Sequence, residues 1–122
     1  MTQPQAAAAS DVVSASIPYS HLDRAVIDGR LGGFCKLIVD RKSRRIVGAH
    51  VVGQQAVEIV QVAATAMQAN VAVDDLARLE YAYPTFTSAI GLAARLAKRK
   101  LDDAINTVGD DSQTPEWESA GP

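Results

Sequence analysis

The first half of the chain contains three apolar runs with the features of β-strands. DVVSASI, FCKLIVD and RIVGAHVVG are rich in β-branched residues, and the charged segment DRKSRR joins the second run to the third. This pattern predicts three strands, the last two connected by a hairpin. Gly48 lies inside the third run and indicates a bulge or a close backbone approach, because glycine otherwise weakens a strand.

The second half of the chain has the apolar period of helices. Apolar residues recur every three or four positions from Gln54 to Ala69, which predicts the first helix. Asp74 or Asp75 is suited to begin a second helix, and Pro84 or Thr85 a third. Strands followed by helices predict an α+β fold, a small antiparallel sheet with helices packed on one face.

The two ends of the chain lack any such period. Residues 1–11 contain mainly Gln, Ala, Pro and Ser, and residues 106–122 are polar, acidic and interrupted by Gly and Pro. We expect a flexible N-terminal segment, one folded domain over residues 12–105 and a disordered acidic tail.

Composition restricts the classes of partner. Hydrophobic residues make up 48% of the 122 positions but aromatic residues only 5%, so the core consists of small side chains and favours further burial against a partner. The net charge of −2 provides no basic field, so we expect no binding to nucleic acid or a membrane surface. The sequence also lacks a signal peptide and an apolar run of about 20 residues, which favours a cytoplasmic location.

Few residues have the spacing of a chemical site. Cys35 is the only cysteine, so the chain cannot form an internal disulfide or a two-thiol redox centre. His21 and His50 lack neighbours at metal-ligand spacing, and the glycines of GRLGG lack the spacing of a phosphate loop. We therefore predict no metal and no cofactor site in this chain. Cys35 is interpreted as an inert packed thiol, and a small enzyme that uses it is a minor alternative.

The segment YAYPTFTS carries two tyrosines one residue apart, just before the third helix. Tyr81 and Tyr83 fit two interpretations equally well. Their rings could be buried with only the hydroxyls in water. Alternatively, Pro84 holds the preceding residue in an extended geometry that projects it away from the domain.

A longer set of landmarks resembles a known family. In order, they are Gly33-Phe34, Lys36-Leu37, the turn at Asp40, RIVGAHVVG, Glu58, DDLA and Pro84-Thr85. Together they resemble the C-terminal dimerisation domain of the pyridine nucleotide-disulfide oxidoreductases, among them dihydrolipoamide dehydrogenase, glutathione reductase and mercuric reductase. The resemblance covers roughly Ile17 to Lys98 and implies that residues 12–105 are a dimerisation domain.

This resemblance implies a role within a larger enzyme. Other parts of such enzymes bind FAD and NAD(P)H and carry a Cys-x4-Cys disulfide, none of which this sequence contains. The resemblance therefore implies a homodimer that also contacts the flavin domain of a parent oxidoreductase. The isolated chain is expected to bind no FAD or NAD(P) and to be inactive.

The sequence departs from the family pattern at the catalytic positions. Tyr83 stands where the family has a histidine that exchanges a proton in the partner's active site, and Ser88 stands where a glutamate orients that histidine. A phenol with an ordinary pKa near 10 is a poor proton shuttle, and a serine supplies no orienting charge. The resemblance implies that four residues face the subunit interface and the partner's active site: Tyr81, Tyr83, Pro84 and Thr85.

A second departure lies at the N-terminus. Family domains begin with another strand and helix, which residues 1–11 do not resemble. The sheet edge left by that strand would be open to pairing with another chain. The alternative hypothesis is therefore a stand-alone, non-catalytic association module that is derived from the family domain.

Overall fold

The computed structural model describes residues 1–9 and 11–106, and the predicted acidic tail lies outside this part of the chain except for Asn106. The elements are α1 (Gln3–Ala9), β1 (Val12–Pro18), a 3-10 turn (Tyr19–His21), α2 (Asp23–Asp28), β2 (Gly33–Asp40), β3 (Ile46–Gly53), α3 (Ala56–Gln68), α4 (Val73–Arg78) and α5 (Ser88–Asn106).

The three strands form one antiparallel sheet in the order β1-β2-β3. Ile17 pairs with Cys35, Cys35 pairs with Val51, and the register of β2 against β3 shifts between Ile38 and Val39. The predicted α+β class and the hairpin between β2 and β3 are confirmed.

The main core lies between one face of this sheet and the long helices. Cys35, Leu37 and Val39 alternate onto that face because successive strand side chains point to opposite sides. The register shift pairs Val39 with Ile46 and so places the buried Ile46 on the same face. The helical side of the core is built mostly from small residues, all fully buried: Ile59, Ala63, Ala89, Ile90, Ala93, Ala94 and Ala97. Alanine side chains allow a helix to approach the sheet closely, which explains how a chain poor in aromatic residues closes its core.

The second face of the sheet is covered by α1. Ala6 is fully buried, the Gln3 Nε2 donates to Ser14 Oγ at 3.2 Å, and the His50 Nε2 lies 3.1 Å from the Met1 carbonyl oxygen. The predicted close approach at Gly48 is confirmed, because a Cβ there would collide with that same carbonyl. Composition predicted a flexible segment here, but the alanine run has high helix propensity and packs on the sheet. The predicted domain boundary stays a prediction.

The helix starts differ from those expected. Ala72 occupies the N-cap of α4, so the predicted start at Asp74 or Asp75 is wrong by a few residues. The segment between β1 and β2 contains α2, which ends at Gly29 in a left-handed conformation (φ 67°).

Asp74 binds Arg44 instead of capping its own helix. The Arg44 Nε and Nη2 donate to the two Asp74 carboxylate oxygens at 2.8 and 2.9 Å, and Nη2 also donates to Asp102 Oδ1 at 2.9 Å. Arg44 lies in the hairpin turn, Asp74 in α4 and Asp102 in α5. This ion triad therefore ties the sheet to both helices at one end of the domain.

Candidate functional site

The segment between α4 and α5 holds the predicted site residues, and its two tyrosines have different surroundings. The Tyr81 ring is half-buried against the backbone of Gly91, and its hydroxyl donates to the Leu76 carbonyl oxygen at 2.9 Å. Burial raises the pKa of this phenol. Tyr81 therefore fills the angle between α4 and α5, as the packing interpretation of the segment describes.

Tyr83 points away from the core. Its side chain is 75% exposed, and the peptide bond to Pro84 is cis. The Tyr83 hydroxyl donates to Asp23 Oδ2 at 2.6 Å, and Asp23 is the first residue of α2. This hydrogen bond to a carboxylate raises the pKa of the Tyr83 phenol, so the neutral phenol is the form present at neutral pH.

Helix α5 begins at Ser88, so the predicted start at Pro84 or Thr85 is three or four residues early, and Thr85 lies in the segment just before the helix. The Thr85 Oγ1 donates to the Ala82 carbonyl at 2.7 Å and accepts the Ser88 amide at 3.3 Å. The Ser88 hydroxyl donates back to the Thr85 carbonyl at 2.7 Å. These bonds satisfy backbone groups at the helix end, so Ser88 is engaged locally and does not supply the polar contact to Tyr83.

Asp23 is the functional candidate that sequence reasoning missed. It lies 60 positions before Tyr83 and carries no motif of its own. An acidic residue in the first turn of a helix is explained by the helix dipole alone, so the sequence held no signal for a contact with a distant tyrosine. The structure thus joins a phenol and a carboxylate on the surface, next to the segment that the resemblance places at a subunit interface.

The other residues considered from the sequence are used in packing. Cys35 is fully buried, and burial raises the pKa of its thiol to about 12. His50 contacts the Met1 carbonyl, as described above. Within the described residues, no group of three or more His, Cys, Asp or Glu side chains could hold a metal ion.

A groove of about 580 Å³ lies between α4 and α5 and is lined by both apolar and cationic side chains. Three of its cations have partners beside it: Arg78 binds Asp75, Lys98 binds Asp102 at 2.8 Å, and Arg95 donates to the Ala77 carbonyl at 3.2 Å. Two of these cations are therefore paired with carboxylates within the domain.

Helix α3 carries a second apolar stripe that the core does not cover. Ile59, Ala63 and Ala66 face the core. Val57, Val60, Ala64 and Met67 recur at spacings of three and four, so they share another side of the helix, and all four are exposed. The exposed fractions are 78% for Val57, 38% for Val60 and 37% for Met67. None of these four side chains is charged, so the stripe is a surface suited to burial against an apolar partner.

Comparison with protein families gives one match that spans most of the chain. Residues 1–94 match the model described as "Pyridine nucleotide-disulphide oxidoreductase, dimerisation domain".

Curated relatives are similar over much the same region. The chain is 33% identical over 91 residues to a dihydrolipoyl dehydrogenase of Buchnera aphidicola and 30% identical over 109 residues to one of Halobacterium salinarum. These alignments cover 75% and 88% of this chain but 19% and 22% of the relatives. The chain thus spans about a fifth of the length of the curated relatives it matches.

Solved structures share the fold. The HOCl-induced flavoprotein disulfide reductase RclA from Escherichia coli superposes with a TM-score of 0.75 at 24% identity, over 79% of this chain and 22% of that one. An NAD-dependent persulfide reductase from A. fulgidus superposes with a TM-score of 0.69 at 29% identity, over 84% of this chain and 20% of that one. Among the described residues, no helix is long and apolar enough to cross a membrane.

Proposed function

Because the chain belongs to the dimerisation-domain family of the pyridine nucleotide-disulphide oxidoreductases, we propose that it pairs two subunits of a flavin- and NAD(P)-dependent oxidoreductase. In this proposal α3 forms the contact between two copies of the domain, and Tyr83 is presented toward the partner subunit's active site. The chain supplies the association surface and not the redox chemistry.

The exposed stripe on α3 is the observation that carries the proposal. A two-fold dimer places the same patch of both subunits against each other, so the patch must be complementary to itself. An uncharged stripe of Val57, Val60, Ala64 and Met67 meets this condition, because no like charges would be brought together. Burial of these side chains would also supply apolar area that a core of small residues lacks.

The position of Tyr83 supports the second part of the proposal. It is highly exposed, and by the resemblance it takes the place of the histidine that reaches the partner's active site. Its neutral phenol forms hydrogen bonds but is a weak base at neutral pH, so we propose that the parent enzyme does not use it as the family uses the histidine. Tyr81, Pro84 and Thr85 would hold the segment in place beside it.

The glycine-rich segment GRLGG does not fit the phosphates of a flavin or a dinucleotide. The glycines of GRLGG lead into β2 and not into a helix, so they cannot direct helix amides at a phosphate. FAD and NAD(P) would belong to the parent enzyme. Flavin that remained bound to this chain through purification would contradict this assignment.

Substitution of Val57 by alanine tests the α3 interface. The change removes two carbon atoms, worth about 0.8 kcal/mol each when fully buried. Since 78% of the side chain is available for burial, the loss is roughly 1.2 kcal/mol per protomer and about 2.5 kcal/mol per symmetric dimer. We expect the dissociation constant of the dimer, measured by sedimentation equilibrium, to rise about 60-fold.

The matched control is Val52→Ala, at a residue that is 55% exposed on the second face of the sheet, away from α3. It deletes the same atoms and should leave the dissociation constant unchanged. Alanine is the better helix former at position 57, so weaker dimers could not be attributed to a melted α3. Equal dissociation constants for the wild type and Val57→Ala would exclude α3 as the contact.

The second candidate function is a stand-alone association module. The outer edges of β1 and β3 form no ladder within the described residues, and such edges pair readily with a strand of another chain. The coding sequence immediately upstream separates the two candidates. An in-frame FAD and NAD(P) region supports the oxidoreductase subunit, whereas a stop codon just before Met1 favours the module.

A further inference from the structure

The hydrogen bond between Tyr83 and Asp23 determines what the exposed tyrosine can offer to another molecule. A phenol has one hydrogen to donate and lone pairs that accept. In the structure that hydrogen is directed to Asp23 Oδ2, and the oxygen atoms are 2.6 Å apart, which is short for an O–H···O bond. The outward side of the Tyr83 oxygen is therefore left with lone pairs.

We propose that Asp23 is a positioning residue for Tyr83, which fixes the phenol ring and turns its oxygen outward as a hydrogen-bond acceptor. This inference rests on the proposed function in one respect, since it assumes that Tyr83 faces a partner. The group that meets Tyr83 is then a donor, such as an amide, an ammonium, a guanidinium or a thiol. A carboxylate or a phosphate would meet only lone pairs and be repelled.

The surroundings of both residues agree with this role. Neither side chain is in the core, so the bond is not needed to satisfy a buried group. Among the described residues, Asp23 is the charged group that acts on the pKa of Tyr83. Asp28, at the other end of α2, instead binds Arg24 at 3.0 Å. The two aspartates of this helix thus have separate partners.

The test is a pH titration of the chain with ¹³C at the tyrosine Cζ atoms, followed by NMR. The chain has three tyrosines, so three signals are expected, and Tyr83→Phe identifies the one that belongs to Tyr83. In Asp23→Asn the charge is lost while an acceptor oxygen remains. We expect the pKa of Tyr83 to fall toward that of a phenol in water. Asp23→Glu, which restores the charge, should raise it again.

Two internal controls exclude a general structural effect. Asp28→Asn removes the same charge from the same helix and should leave the Tyr83 titration unchanged. The signals of Tyr19 and Tyr81, both tied by their hydroxyls to backbone carbonyls, should not move in any of these variants. A Tyr83 pKa that is the same in the wild type and in Asp23→Asn would overturn the proposal.

A second measurement does not depend on the NMR signals. Tetranitromethane nitrates the phenolate form of exposed tyrosines, and mass spectrometry of peptides locates the modified residue. We expect slow nitration of Tyr83 at pH 8 in the wild type and in Asp28→Asn, and faster nitration in Asp23→Asn. Equal rates in all three would contradict the role of Asp23. Both measurements are valid for a monomer, so a failure of dimerisation would be recognised separately by sedimentation.

Discussion

Substitution of Gly91 by alanine tests whether Tyr81 holds the segment that carries Tyr83. A Cβ atom at position 91 would lie 2.5 Å from Cε2 and 2.8 Å from Cδ2 of the Tyr81 ring, closer than real side chains approach. The ring could retreat only by giving up its hydrogen bond to the Leu76 carbonyl. We therefore expect the substitution to act on the whole connection between α4 and α5.

Two opposing terms decide the magnitude. Alanine in place of glycine favours the helix by up to about 1 kcal/mol. The forced overlap costs about 1–3 kcal/mol, and the lost hydrogen bond about 1 kcal/mol more. The expected net result is a decrease in the free energy of unfolding of about 1–3 kcal/mol, which urea denaturation followed by circular dichroism can resolve.

A double-mutant cycle tests whether the Tyr81 ring causes the loss of stability in Gly91→Ala. In a Tyr81→Ala background the ring is absent, so Gly91→Ala should stabilise the domain by up to about 1 kcal/mol. Gly32→Ala is the control, because a Cβ there has no atom within 4 Å, and its effect should be the same in both backgrounds. If Gly91→Ala stabilised the wild type, or changed both backgrounds equally, the packing of Tyr81 on α5 would be refuted.

Two further predictions concern charged and buried groups. Arg44→Met leaves the partly buried Asp74 without its partner, so we expect a loss of roughly 2 kcal/mol of stability at pH 7. Arg44 also lowers the pKa of Asp74, so this contribution is present above the unfolded pKa near 4 and is lost as the pH falls. The free energy of unfolding should thus decrease less steeply below pH 4 in the variant than in the wild type. The same pH dependence in both proteins would contradict the ion triad. At the alkaline end, burial raises the pKa of Cys35 to about 12, so the unfolded thiol ionises first and stability falls as the pH rises above roughly 9. Cys35→Ala should lack this part of the decrease, and rapid alkylation of the native thiol at neutral pH would show that Cys35 is not buried as described.

The sequence predicted those parts of the fold that have a strong period. The hairpin and α3 followed from alternation and from the helical spacing of apolar residues. Gly48 indicated a bulge or a close approach, and the structure shows the close approach of the Met1 carbonyl oxygen. The sequence did not predict helix α1, because a run of alanines has no alternation of apolar and polar positions that would distinguish a packed helix from a disordered segment. The start of α4 was misplaced because Asp74 pairs with Arg44, a tertiary contact that overrides its local capping preference.

The candidate site was only partly visible in the sequence for a similar reason. Tyr83 could be singled out by its position before Pro84 and by the resemblance. Its partner Asp23 could not, because a contact between residues 60 positions apart depends on how α2 folds back beside the start of α5. The sequence also did not predict that the two tyrosines differ in exposure. They differ because the ring of Tyr81, and not that of Tyr83, packs against Gly91 of α5.

The proposed function requires this domain to associate with a second copy of itself. Sedimentation equilibrium of the purified chain over a wide range of concentrations tests it directly. We expect a mass twice that of the 12.9 kDa chain, which approaches the monomer value only on strong dilution. A monomer mass at every concentration would contradict self-association through α3.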